Sequence, residues 1–155
     1  REVSMQPNYE EVPIAAKRMP TGKVEDFEEA LYLPVTQRNF DDIVSGVKTV
    51  ESRAIKESTA GKYLGATPAG NPLLNPENTL MGEIYYLNDY NKGNFPFLPI
   101  QYKQLRLVVG YAKNRDELLV EVKDISVRAE NIRGQFADWV IEYHLGKILD
   151  IRHKK

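Results

Sequence analysis

Strand-type segments crowd the second half of this chain, with at most a short helix between them. "KQLRLVVGYA" (103–112) is β-branched and apolar, and "NRDE" makes a turn. "LLVEVKDISV" (118–127) alternates, with Val120 and Val122 facing inward and Glu121 and Lys123 outward. "AENIRGQFADW" reads as a short helix, and "WVIEYHLGKILDI" (139–151) as strand material broken by Gly146. Further upstream, "MGEIYYL" (81–87) is another strand-type run. This order has no strict strand–helix–strand alternation, which excludes a doubly wound parallel sheet. It leaves an α+β domain built on a small mixed sheet or barrel.

The first half supplies the helical part. In "TQRNFDDIVSG", Thr36 is placed to cap a helix over 37–45, Phe40, Ile43 and Val44 form its apolar stripe, and Gly46 sits where a helix commonly ends. "KTVESRAI" then reads as a strand, with Thr49, Glu51 and Arg53 on one face and Lys48, Val50 and Ser52 on the other. "KVEDFEEALYL" (23–33) carries Val24, Phe27 and Leu31 at helical spacing, so a short helix giving way to a strand near Tyr32 is expected, the alternative being that Ala30 to Val35 is already the first strand. Pro7, Pro13 and Pro20 punctuate a stretch of thin apolar content. Residues 1–29 are therefore read as an N-terminal extension and 30–155 as the domain. Residues 56–80 carry three glycines and three prolines, the composition of a long functional or mobile loop.

Composition narrows the chemistry. The 155 residues suit one domain, long enough to bury roughly 70% of the surface its unfolded chain exposes. No cysteine is present, which removes disulfides and thiolate nucleophiles. With only His144 and His153 available, a structural zinc site has almost no ligands, and no cofactor motif stands out. The Gly-Lys pair of "AGKYLG" lacks the upstream glycine and the Ser/Thr of a phosphate loop. A formal net charge of −1 excludes coating nucleic acid by bulk charge but leaves room for a small basic groove. No run approaches the roughly 20 apolar residues that span a bilayer, and "REVSMQPNYEEVP" has no apolar signal core; a cytoplasmic protein with no membrane partner is expected.

"SGVKTVESR" (45–53) is the most informative stretch. It sets a lysine, a glutamate and an arginine within six positions after a helix end. Helix, then Gly-x-Lys-x-x-Glu-x-Arg opening a strand, resembles the signature of the activating signal cointegrator homology (ASCH) domain, of the PUA-like superfamily. Phe40, Ile43, Gly46, Lys48, Thr49, Glu51 and Arg53 carry the resemblance, which extends over roughly 30–151 and takes in "LRLVVGYAKNRDELLVEVKDISV". It implies a PUA-like small β-barrel with flanking helices and a cleft lined by the charged residues. It also implies binding of RNA or a nucleotide. Some small relatives are amidohydrolases of acylated cytidine, in which a lysine and a threonine three positions later act together with a distant glutamate. Here Lys48 matches that lysine, and Glu51 stands where the threonine would be.

The residues themselves suit a nucleotide. Arg53 offers a planar fork for a phosphate or a base edge. Glu51 accepts hydrogen bonds from an exocyclic amino group. Lys48 is a mobile point charge within reach of a phosphate, and Thr49 lies between them. Among the aromatics, Tyr85, Tyr86 and Tyr90 are the right type to stack a base, and Tyr85 is kept as a ligand-binding candidate. Trp139 reads as core, the basic tail "RHKK" as a solvated end able to touch phosphate, and His144 as structural. Two other readings stand beside binding. One is a small hydrolase acting on a modified nucleoside or RNA, with Glu51 as general base and Lys48 stabilising charge. The other is a protein-interaction domain whose cleft is vestigial, its charges merely pairing at the surface.

Overall fold

The computed structural model describes residues 26–27, 30–56, 58–64, 99–134 and 136–155. Their elements, in order, are β1 (Asp26–Phe27), β2 (Leu31–Val35), α1 (Gln37–Val44), β3 (Val50–Ile55), α2 (Ala60–Tyr63), β4 (Gln101–Tyr102), β5 (Gln104–Val109), β6 (Glu117–Arg133) and β7 (Phe136–Arg152). β1 pairs with β4 in parallel. The other strands form a five-stranded mixed sheet in the order β2-β5-β6-β7-β3. β2 and β3 stand at its two ends, so the sheet is not closed in the described pairings. The architecture is mostly sheet with two short helices, an α+β arrangement.

The helix over 37–44 forms for local reasons. The Thr36 side chain accepts from the Asn39 N–H (3.1 Å), capping the first turn. Phe40 and Ile43 are the buried stripe. At the other end Gly46 takes φ +83° and donates its N–H to the Ile43 carbonyl (3.1 Å), the bond of a left-handed helix stop. Nothing lies within 4 Å of where a Cβ at Gly46 would sit, so any penalty there is conformational. Gly46→Ala is expected to cost about 1–2 kcal/mol, read as a lower urea midpoint with an unchanged slope.

The chain divides into two compact units, and the division runs through β3, β6 and β7. One unit holds Asp26–Glu51, Gln101–Asp124 and Tyr143–Lys155. Its core is laid out in rows: parallel pairing sets Leu31 beside Leu105 and Leu33 beside Leu107, and antiparallel pairing sets Leu105 beside Val120 and Leu107 beside Leu118. All six are buried, and Val35, Phe40, Ile43, Val108, Tyr143 and Leu145 add to the core. The described residues of the other unit fall within Ser52–Ile100 and Ile125–Glu142. Its core is Ile55, Tyr63, Leu64, Ile100, Ile125, Val127, Trp139 and Ile141, among others. β6 serves the first core with even positions, Leu118 and Val120, and the second with odd positions, Ile125, Val127 and Ala129. A change of buried parity within one 17-residue strand marks the division at Asp124.

Four sequence expectations need correction. No helix covers 26–27 or 31–35: Leu31, Leu33 and Val35 bury alternately and pair with β5, which a helix does not allow. "AENIRGQFADW" is not a helix but the tip of a hairpin. β6 runs to Arg133, Gly134 turns the chain at φ +59°, and β7 starts at Phe136. Gly146 does not break β7; a Cβ there would come 2.5 Å from Glu121 Oε1, so the glycine makes room for a neighbouring side chain. Lys48 does not face away from Glu51 across a strand, because β3 begins at Val50. The strand expected at 81–87 lies outside the described residues.

Candidate functional site

Lys48 is placed by the helix stop. Its backbone N–H donates to the Asp42 carbonyl (2.9 Å), so the turn at Gly46 hands the lysine to the mouth of β3 rather than to its flat face. From there Nζ lies 3.3 Å from Glu51 Oε1. Glu51 is 2% exposed, the one buried acidic residue among those described, and the Lys48 side chain is 25% exposed. Burying a carboxylate costs several kcal/mol unless it is paired and hydrogen-bonded. The cation three residues earlier offsets part of that cost at Oε1, while Oε2 is buried with no hydrogen bond among the described residues. Thr49 is exposed at the side chain, and its carbonyl accepts from the Leu145 N–H (2.9 Å), tying the entry of β3 to β7.

Arg53 belongs to the other unit, where it is half-buried. Its guanidinium acts on Tyr63, the last residue of α2. Burial pushes the Tyr63 phenol above its usual range, and the Arg53 charge pulls it partly back. In the same unit Ser52 Oγ donates to Glu142 Oε2 (3.4 Å), and Arg128 Nε lies 3.2 Å from Glu142 Oε1. Arg128 also pairs with Glu130. Ser52, Arg128, Glu142 and Tyr63 are not singled out by sequence reasoning. Glu142 and Arg128 sit in alternating strand sequence as ordinary solvent-face charges, and only the pairing of β7 beside β3 brings Glu142 to Ser52.

The structure thus brings Lys48 and Glu51 together and places Arg53 beside Tyr63. Tyr85 lies outside the described residues. Trp139 is buried, as core packing requires. The tail is tied down along its backbone: the Lys154 N–H donates to Asp116 Oδ1 (2.5 Å) and the Lys155 N–H to Asn114 Oδ1 (2.9 Å). The His153 ring meets Phe40 edge-on, centroids 6.2 Å apart. Among the described residues no group of three or more histidines and carboxylates is placed to hold a metal, and no helix is long and apolar enough to cross a membrane. Comparison of the chain with protein-family models, curated proteins and solved structures returned no match.

Proposed function

We propose that this chain binds RNA or a nucleotide as an ASCH-like, PUA-like domain, with the Lys48–Glu51 pair as its ligand-reading element. The observation that carries the proposal is a buried carboxylate whose partner cation is partly exposed on a flexible stem. A lysine on a four-carbon stem can leave Glu51 for a phosphate. An exocyclic amino group of cytosine, adenine or guanine then donates to the carboxylate in its place. The amino group takes over the hydrogen bond to Glu51 while the lysine charge goes to the phosphate, so the ligand that fits carries both an anion and an amino edge. The capped helix, the left-handed glycine and the charged strand entry match the arrangement that the ASCH resemblance implies. A strand sheet beside that helix also accords with a PUA-like barrel. Arg53, in the other unit, is a second candidate contact, and there its charge acts on Tyr63.

Calorimetric titration of the four ribonucleoside monophosphates tests this. Uridine monophosphate, which lacks the amino group, is expected to bind roughly tenfold or more weakly than the other three, the effect of leaving a charged acceptor without its donor. Equal affinity for all four would remove Glu51 as the reader. Arg53→Ala is expected to remove most of the affinity if its fork holds the phosphate, and unchanged affinity would take Arg53 out of the site. Release of a hydrolysed product during the titration would replace binding by catalysis.

A further inference from the structure

We propose that the surface made by the 110–116 turn and the 152–155 tail is a second contact for single-stranded nucleic acid, gripping backbone phosphates with lysines and stacking a base on Tyr111. All of its residues lie in one unit, apart from the charged entry of β3 in sequence and in role.

Tyr111 is 91% exposed, the most exposed of the large apolar side chains described. It does not ride on a loose loop. The turn is closed by the Val109 N–H donating to the Asp116 carbonyl (3.0 Å) and braced by Arg115, whose guanidinium reaches the Gly110 carbonyl (3.4 Å). Arg115 is itself fixed, by Glu117 Oε1 (3.1 Å) and by the Tyr32 ring beneath it (5.7 Å to the centroid). A rigid turn presenting a bare aromatic face loses little conformational entropy when a base stacks on it.

The charge around it is local and positive. Asn114 bonds Lys155 in both directions, its Oδ1 accepting from the N–H and its Nδ2 donating to the carbonyl (3.2 Å), which holds the tail against the turn by its backbone. That anchoring uses the backbone, and Lys154 and Lys155 are exposed, as is Lys113. The nearby acids are already engaged. Asp116 accepts from the Lys154 N–H and from Gln37 Nε2 (2.9 Å), and those bonds hold its carboxyl below the usual range. Asp41 also accepts from Gln37 (3.0 Å), and Asp150 pairs with Arg152 (3.4 Å). On a chain of formal charge −1, cations outnumber acids in both the turn and the tail. A braced aromatic beside lysines is the combination that binds single strands without sequence preference.

The test is fluorescence anisotropy with a short labelled oligouridylate and the full chain, at about 50 and 200 mM salt. Uracil lacks the amino edge that Glu51 is proposed to read, so this probe weights the second surface over the first. Tyr111→Ala is expected to weaken binding about 5- to 100-fold, with Tyr111→Phe close to wild type. Removing Lys113, Lys154 and Lys155 together, as alanines that keep the backbone bonds, is expected to lower the log–log salt slope by roughly 0.7 for each phosphate that is no longer neutralised. Affinity for free cytidine monophosphate is expected to be unchanged in both variants. An oligouridylate that binds wild type and Tyr111→Ala equally, or does not bind wild type, overturns the proposal while leaving the Lys48–Glu51 reading intact. Cytidine monophosphate binding unchanged in Lys48 variants, with oligouridylate binding still lost in Tyr111→Ala, would overturn the Lys48–Glu51 reading and leave this one standing.

Discussion

Lys48→Ala is expected to destabilise the chain by about 3 kcal/mol, the lower end of what removing one partner of a buried pair costs. The lower end applies because the lysine side chain is a quarter exposed while its glutamate is buried. What drives the loss is the weaker compensation of a buried carboxylate more than the missing attraction itself. Thermal unfolding should show it as a drop of roughly 6–12 °C for a domain of this size. The double change Lys48→Met with Glu51→Leu is expected to recover most of that loss or exceed wild type, since apolar pairs of similar volume replace buried ion pairs at little or no cost. A Lys48→Ala variant as stable as wild type would mean that Glu51 does not depend on its lysine. A double variant no better than the single would mean that the pair itself holds the fold.

Phe40→Ala is expected to cost about 3–5 kcal/mol, as for other buried phenylalanines. Phe40 is 1% exposed and is the largest side chain on the buried stripe of α1, so its ring is what holds the helix in its unit's core. His153→Ala, which removes the edge contact on that ring and a charge acting on Asp116, is expected to cost about 0.5–1 kcal/mol. Urea denaturation of both variants checks the pair of values. A Phe40→Ala loss no larger than that of His153→Ala would show that α1 is held by its caps and not by its core side chain.

The parts of the fold that are legible in the sequence are those fixed by neighbours in the chain. Thr36, the Phe40/Ile43 stripe and Gly46 specify α1 through interactions spanning a few residues, and α1 forms as those residues indicate. Alternation in 104–109 and 118–127 likewise names strands without knowledge of their partners. Three of the four misreadings involve pairing across the sheet. Phe27 and Leu31 are spaced as on a helix, but Leu31 is claimed by Leu105 across the sheet. Ala129, Ile132 and Phe136 mimic helical spacing across what is a hairpin turn, and the turn is visible only through the positive φ of Gly134. Gly146 looks like a break until Glu121 is found lying over it.

The site divides the same way. Charge type and order at 48–53 are readable, and so is the glycine before them. That Lys48 turns back onto Glu51 is not, because it depends on the Asp42 carbonyl drawing in the Lys48 backbone, with the strand starting only at Val50. That the Arg53 charge acts on the buried Tyr63 is not legible either, because Tyr63 belongs to α2, an element that the loop-like composition of 56–80 conceals.

The most direct measurement of the central claim is a calorimetric titration of cytidine monophosphate into wild type and into the Lys48→Met, Glu51→Leu double variant, after thermal unfolding has shown the variant to be folded. Wild type is expected to bind, more tightly than it binds uridine monophosphate, and the equally stable variant to lose that binding. Equal binding by the two proteins, or no binding of any nucleotide by wild type, would contradict the assignment of the Lys48–Glu51 pair as a nucleotide-reading element.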